Sequence, residues 1–134
     1  MSQENVEIVR SIYAAWERGD YTSTEWAHPD IEYVRADGPD AGSWRGLAGL
    51  AEGARSWVSA WEEYRIEVDE YRELDQERVL APTHGTGRGK ASGLDAWQIR
   101  AEAADLFHFR DGKVTKFVVY FDRQRALADL GLSE

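Results

Sequence analysis

A single carboxylate, Asp105, interrupts an otherwise apolar strand face near the end of the chain. Side chains alternate between the two faces of a strand, so every second residue from position 97 shares one face. That face contains Trp97, Ile99, Ala101, Ala103, Asp105, Phe107 and Phe109. A carboxyl group in apolar surroundings loses hydration, which raises its pKa and suits it to general acid–base catalysis near neutral pH. Asp105 is therefore the first candidate catalytic residue; the alternative is a core carboxylate paired with a Tyr, Trp or Arg.

Two further residues are candidates to assist Asp105. His84 shares a strand face with Pro82 and Thr86, where an imidazole could carry protons or orient the carboxylate. Tyr13 could donate a hydrogen bond to a ligand carbonyl, although a core tyrosine is the simpler interpretation. The three histidines do not have the spacing of metal ligands and the chain has no cysteine. We therefore expect no metal site, no thiol nucleophile and no cofactor.

The pairing of the last two strands determines what surrounds Asp105. Asp111-Gly112 lies between these strands and is a strong hairpin signal. A three-residue turn places Asp105 opposite Phe117, whereas a two-residue turn places it opposite Val118. We favour the three-residue turn because it joins the two apolar faces.

Small residues among large ones on this face leave room for a ligand. Ala101 and Ala103 would form the floor of such a pocket, and aromatic side chains its walls. The predicted lining residues are Trp16, Tyr33, Trp57, Trp61, Trp97, Ala101, Ala103, Phe107, Phe117, Val119 and Phe121.

The elements that must position these residues follow from the hydrophobic periodicity. Apolar residues three and four apart predict a first helix over 3–18. Further helices are predicted over 22–27, 47–63 and 123–130, the last capped by Asp122. Strands are predicted over 31–34, 64–68, 78–88, 95–109 and 113–121, and a loop over 37–46. Helices concentrated in the first half and strands in the second are typical of an α+β fold.

Length, charge and composition exclude several classes of function. A chain of 134 residues predicts one domain, residues 1–134. A net charge of −9 argues against nucleic-acid and anionic-membrane partners, which need clustered positive charge. No apolar run approaches the length of a membrane span, and the first residues lack signal-peptide character. We expect a cytoplasmic protein whose partner is a small molecule.

Three motifs in order resemble SnoaL-like proteins of the nuclear transport factor 2-like superfamily. The first is Val6-x-x-Val9-x-x-Ile12-Tyr13-x-x-Trp16-x-x-Gly19-Asp20, and the second is Trp26-x-His28-Pro29-Asp30-Ile31-x-Tyr33. The third runs from Phe109-Arg-Asp-Gly-Lys-Val114 through Tyr120-x-Asp122-Arg to Gly131-Leu. The resemblance implies a cone-shaped, curved mixed sheet wrapped around N-terminal helices, with a deep apolar cavity. It also implies a homodimer packed through sheet faces, for which Leu106, His108, Val118 and Tyr120 form the expected interface.

The resemblance carries over the family's catalytic residues only in part. Asp105 is similar to the protonated Asp that ketosteroid isomerases place on the penultimate strand. Their general base falls at Val34 here, with Glu32 or Asp37 as the alternatives after a shift in the alignment, and their helix-one Tyr falls at Ile12, next to Tyr13. Cyclases and epoxide hydrolases carry an Asp midway along the last strand, at the position of Val119.

The function expected from these observations is binding of a small apolar organic molecule in the cavity. Acid–base chemistry of the isomerase, cyclase or dehydratase type would be carried by Asp105, helped by His84 or Tyr13. The alternative is a non-catalytic ligand-binding or dimeric interaction module of the same fold.

Overall fold

Three helices and seven strands make up the described part of the chain, residues 2–20, 23–37, 41–59, 61–89 and 101–132 of a computed structural model. In chain order the elements are α1 (Ser2–Glu17), β1 (Ala27–Arg35), β2 (Gly42–Arg45), α2 (Gly46–Ser59), β3 (Trp61–Val68), β4 (Arg72–Asp75), β5 (Arg78–Gly89), β6 (Ala101–Arg110), β7 (Lys113–Tyr120) and α3 (Arg123–Leu130).

The strands form one mixed sheet in the order β2-β1-β7-β6-β5-β3, with β4 also paired to β5. β1 and β7 are parallel, and the other pairs are antiparallel. Side chains of α1 and α2 pack on one face of the sheet, which we call the inner face; it carries Val79, Ala81, Phe107 and Phe117. Helix α3 packs on the opposite, outer face. This arrangement confirms the predicted α+β fold.

Helix α1 presents its apolar stripe to the inner face. Val9, Ile12 and Tyr13 are buried there, at the three- and four-residue spacing that predicted the helix. The Asn5 Nδ2 atom donates to the carbonyl of Gln76 at 2.9 Å, which fixes the start of the helix against the β4–β5 turn. The spacing of these apolar residues therefore determines which side chain of α1 lies over the middle of the sheet.

Three predicted boundaries in the first half of the chain are wrong. The described part of the helix predicted over 22–27 is not helical, because residues 25 and 26 form a turn and β1 begins at Ala27. The predicted loop over 37–46 contains β2, which pairs with β1. Helix α2 ends at Ser59 rather than at 63 because Trp61 pairs with Gly89 and begins β3. For β1 and β3, pairing with a strand far along the chain overrides the local helix preference, whereas β2 pairs with the strand directly before it.

The last hairpin has a two-residue turn followed by a bulge. Asp111 and Gly112 have φ values of 53° and 78°, so both adopt the left-handed conformation that a tight hairpin turn requires. Arg110 then pairs with Lys113, and the register shifts between His108 and Phe109. The bulge adds one residue, which restores the apolar faces to the same side.

The consequence for Asp105 is a corrected partner. Asp105 lies opposite Val119, and Phe107 lies opposite Phe117. The predicted pairing of Asp105 with Phe117 is therefore wrong by two residues, although the predicted shared face is correct.

Helix α3 has the predicted bounds. The Asp122 side chain accepts a hydrogen bond from the Gln124 amide, and Gly131 ends the helix with φ 69°, the left-handed conformation favoured at a helix C-terminus. Ala126 and Leu127 are buried against the outer face.

Helix α3 also covers the face expected to form the dimer interface. Leu106, Val118 and Tyr120 keep only 3, 6 and 7% of their surface exposed, and they pack in one cluster with Ala126 and Leu127. Their own chain already buries them, so the expectation that these side chains pack against a second subunit is wrong.

Within the described ranges, none of the helices is long and apolar enough to cross a membrane.

Candidate functional site

Two rows of side chains cross the inner face and define the site. In the first row Ala81, Asp105, Val119 and Arg35 lie side by side on β5, β6, β7 and β1. In this row a carboxyl group and a guanidinium group are separated by a valine. Since facing residues in a sheet point to the same side, all four side chains look toward the helices.

The second row is a stack of aromatic rings across four strands. Phe107 stacks on Phe117 with ring centroids 4.7 Å apart, Phe117 on Tyr33 at 5.3 Å, and Tyr33 on Trp44 at 5.3 Å. Their interplanar angles are 13°, 15° and 29°. The rings form a continuous apolar surface next to the charged row, and Trp16 covers it at Phe117 with centroids 5.8 Å apart.

Helix α1 brings Tyr13 onto Asp105. The Tyr13 hydroxyl donates to Asp105 Oδ2, although the two residues are 92 positions apart. Only 4% of Tyr13 and 3% of Asp105 is exposed. The Tyr13 ring also meets Phe107 edge to face, which fixes the direction of its hydroxyl. The structure thus brings together two of the three predicted catalytic residues.

Burial sets the ionisation of Asp105. It raises the pKa of the carboxyl to about 7, against the opposing effect of the Tyr13 hydrogen bond, which lowers it. Charged and neutral forms are then both populated near neutral pH. A carboxyl group in that state can accept a proton in one step and donate it in another.

His84 lies on the other side of the sheet. Side chains alternate along β5, so Ala81 and Thr83 point to the inner face and His84, which follows Thr83, points to the outer face. Its Nδ1 atom is 2.7 Å from Asp69 Oδ1, and its Nε2 atom is 3.2 Å from Glu67 Oε2. The expectation that His84 helps Asp105 is therefore wrong, because the sheet separates the two side chains.

Arg35 is a residue of the site that was not predicted from the sequence. It is 3% exposed, its Nε donates to the Tyr33 hydroxyl at 3.1 Å, and its Nη2 donates to the Gly53 carbonyl. The guanidinium also lies 4.5 Å from the Trp44 ring centre, a cation–π distance. The alternation of Ile31, Tyr33 and Arg35 along β1 is the signal that would have placed Arg35 inward.

The remaining predicted pocket residues divide into four groups. Val119 in the first row and Ala103 next to that row are partly exposed, and Tyr33, Phe107 and Phe117 belong to the aromatic stack. Phe121 follows β7, where its amide donates to Asp37 Oδ1 at 2.5 Å. Trp97 lies outside the described residues, as do the side chains of Trp57, Trp61 and Ala101.

Among residues 2–20, 23–37, 41–59, 61–89 and 101–132, no group of three or more His, Asp or Glu side chains is arranged to hold a metal ion.

A comparison with known protein families shows which family the chain belongs to. The family model of the SnoaL-like domain matches residues 9–117, which is most of the chain. The chain belongs to the SnoaL-like domain family. A search of curated proteins gives no match.

Solved structures share the fold of this SnoaL-like protein. A nuclear transport factor 2-like protein from Burkholderia xenovorans LB400 is 30% identical with a TM-score of 0.68, over 90% of each chain. TerC, co-crystallised with polyporic acid, is 24% identical with a TM-score of 0.74, covering 95% of this chain and 97% of TerC. A proposed polyketide cyclase from Xanthomonas campestris pv. campestris is 24% identical with a TM-score of 0.68, covering 95% and 96%. These likenesses agree with the cone-shaped α+β fold expected from the sequence.

Proposed function

We propose that this SnoaL-like protein binds a small, largely apolar organic molecule on its inner face and performs acid–base chemistry on it without a cofactor. The single observation that carries the proposal is the buried Asp105 carboxyl, held by the Tyr13 hydroxyl and given a pKa of about 7 by burial. A buried carboxyl that changes charge near neutral pH is costly to keep and is typical of acid–base sites.

In the proposed reaction Asp105 moves one proton within the ligand. The carboxylate removes a proton from a carbon next to a carbonyl and becomes the neutral acid. The neutral acid then returns that proton to another atom of the same ligand, so the net result is isomerisation. In ring closure the carbanion first attacks a second carbonyl carbon of the ligand, and the C=O electron pair becomes the alkoxide that takes the proton. Tyr13 holds the Asp105 carboxyl in one orientation throughout.

The inner face favours a flat, ring-containing ligand. Four stacked rings line the inner face, of which the Trp44 ring is partly exposed, and the partly exposed Ala103 and Val119 lie beside Asp105. TerC was crystallised with polyporic acid, and another relative of the same fold is a proposed polyketide cyclase. Both support an organic ligand in this class of fold.

The second candidate function is ligand binding without catalysis, or an interaction module. It is favoured by the packing of Trp16 and Trp26 against Phe117, since side chains of the protein itself then occupy part of the inner face. In this case Asp105 would serve as a core carboxylate satisfied by Tyr13.

A thermal-shift screen of enones, steroids, epoxides, polyketide aromatics and terpenoids tests the proposal. Wild type is compared with Asp105→Asn and with Asp111→Asn, a control in the exposed turn. A ligand at 100 times its dissociation constant stabilises by about 2.7 kcal/mol, which raises Tm by several degrees. We expect a hit that Asp105→Asn weakens and the control does not, with turnover of that compound lost in Asp105→Asn. A hit bound equally by Asp105→Asn and not turned over would favour the non-catalytic function.

The homodimer and the cytoplasmic location also belong to the proposal. The family resemblance supports the dimer, and the acidic, cysteine-free composition supports the location. Sedimentation velocity decides the dimer: we expect a species of twice the chain mass, and a monomer at all concentrations would contradict it.

A further inference from the structure

Thr83 presents a buried hydroxyl on the inner face that the acid–base pair does not use. It lies on β5 opposite Ala103, two positions along the ladder from the Ala81–Asp105 pair. None of its surface is exposed, and its Oγ1 atom has no hydrogen-bond partner among the residues that the structure describes.

An unsatisfied buried hydroxyl costs stability, because the group loses its hydrogen bonds to water and gains none in return. Valine has nearly the same shape, favours strands equally, and would avoid that cost. A polar residue at this position therefore needs a reason outside the folding of the inner face.

We propose that Thr83 is a second polar anchor for the ligand, binding one oxygen of a dioxygenated aromatic molecule whose other oxygen is held at Asp105. The inference rests on the proposed function, since it assumes that the ligand binds at Asp105, and it adds the class of ligand. Both anchors lie next to the partly exposed side chains of this face, because Ala103 faces Thr83 and Val119 faces Asp105.

The register of the sheet sets the spacing of the two ligand oxygens. Thr83 and Asp105 are diagonal neighbours on antiparallel strands, whose Cα atoms lie roughly 7–8 Å apart. Both side chains are short and point to the same side. Oxygens on ring carbons 1 and 3 suit this gap.

The first test measures the melting temperature of the free protein. Thr83→Val should raise Tm by about 3–6 °C because it removes the unsatisfied group. The matched control is Thr115→Val, since the Thr115 hydroxyl has a partner, the His108 carbonyl at 3.4 Å; this variant should not gain stability. A lower Tm for Thr83→Val would show that the hydroxyl is used in folding and would overturn the inference.

The second test measures binding of 1,3-naphthalenediol, 1-naphthol and 2-naphthol by calorimetry. We expect wild type to bind the diol about fivefold more tightly than either naphthol, as one added hydrogen bond allows. Thr83→Val should remove that preference, Thr83→Ser should retain it, and Asp105→Asn should weaken binding of all three compounds.

The outcomes separate the inference from the proposed function. If the compounds bind through Asp105 but Thr83→Val keeps the preference for the diol, the role of Thr83 is wrong and the proposed function stands. If none of the compounds binds to wild type, or if Asp105→Asn binds them as well as wild type does, the inference fails, and the thermal-shift screen of the other ligand classes decides the proposed function.

Discussion

The ionisation of Asp105 is determined by a few atoms around one carboxyl group. Its cross-strand neighbours Ala81 and Val119 offer only hydrocarbon, while the Tyr13 hydroxyl donates to Oδ2. Burial outweighs that hydrogen bond, so the neutral acid persists to about pH 7. The same carboxyl group in water would already be charged above pH 4.

The first prediction concerns the stability of Asp105→Asn at different pH values. A raised pKa in the folded state means that the folded protein keeps a proton that the unfolded chain has lost, so wild type loses stability as the pH rises from 4 to 7. Asparagine does not titrate and can still accept from Tyr13. The stability advantage of Asp105→Asn should therefore grow from pH 4 and level off above pH 7, at no more than about 4 kcal/mol.

Urea unfolding of both proteins between pH 4 and pH 8 measures this difference. Taking the difference cancels the contributions of other titrating groups, such as Asp69 and Asp75, whose pKa values hydrogen bonds and charges lower. A pH-independent difference, or an advantage for wild type at pH 8, would contradict the prediction.

The second prediction concerns Tyr13→Phe. The Tyr13 hydroxyl favours the charged form of Asp105, so its removal should move the pKa of Asp105 further up, above about 7. A pH profile of ligand binding or turnover should shift to higher pH accordingly. Tyr71→Phe is the control, because its ring also touches Tyr13 while its hydroxyl is not bonded to Asp105.

Sequence reasoning found Asp105 and Tyr13 but could not find the rest of the site. Asp105 stands out because one charged residue interrupts an alternating apolar pattern. Arg35 carries only the weaker signal of its alternation with Ile31 and Tyr33, because a charged residue at a strand end usually faces solvent, and a threonine within a strand such as Thr83 can lie on either face. Their burial depends on elements far away in the chain, such as α2 at Gly53.

At the scale of elements, the site depends on how closely α2 approaches the sheet. Gly53 is buried against the Tyr33 ring: a Cβ atom there would lie 2.6 and 2.7 Å from two ring carbons. The Gly53 carbonyl also accepts from Arg35. Helix α2, the Tyr33 ring and the Arg35 guanidinium therefore meet at Gly53. A glycine at this position allows the close approach.

The third prediction is that Gly53→Ala destabilises the protein. Alanine gains about 1 kcal/mol in helix propensity, but pushing α2 away from Tyr33 costs about 1–3 kcal/mol or more. Gly49→Ala is the matched control, because its Cβ would come only to 3.3 Å from Trp44. Urea unfolding should rank Gly53→Ala below Gly49→Ala, and equal stability would contradict the packing described.

Elements with local signals could be predicted, and elements made by long-range pairing could not. Helix α3 carries Asp122 and Gly131 as caps and has the predicted bounds. The start of β3 exists because a distant strand pairs with it, as Trp61 does with Gly89. The β-bulge in β7 could not be predicted from the turn sequence either. It depends on the apolar faces of β6 and β7 lying on the same side of the sheet.

At the scale of the whole molecule, the sheet has two separate cores. The inner core joins α1 and α2 to the sheet around Asp105, and the outer core joins α3 to Leu106, Val118 and Tyr120. The outer core is thus part of the fold of one chain.

The fourth prediction follows for Tyr120→Glu. Tyr120 is 7% exposed and lies near the carboxylates of Asp129 and Asp37. A charged residue there should reduce stability by more than about 3 kcal/mol, while Tyr120→Phe should cost far less. Sedimentation of the folded fraction should match wild type. If Tyr120→Glu instead sedimented as a smaller species with unchanged stability, the outer face would be the subunit interface.

The central claim, that the Asp105 carboxyl changes charge near neutral pH, is tested most directly by a carboxyl ¹³C NMR titration of the wild-type protein. Asp105→Asn identifies the resonance, which is the one missing from its spectrum. We expect a titration midpoint near pH 7 for Asp105, well above that of an exposed aspartate. A midpoint at or below pH 4 would mean that Asp105 is an ordinary ionised core carboxylate, and the proposed acid–base function would fall with it.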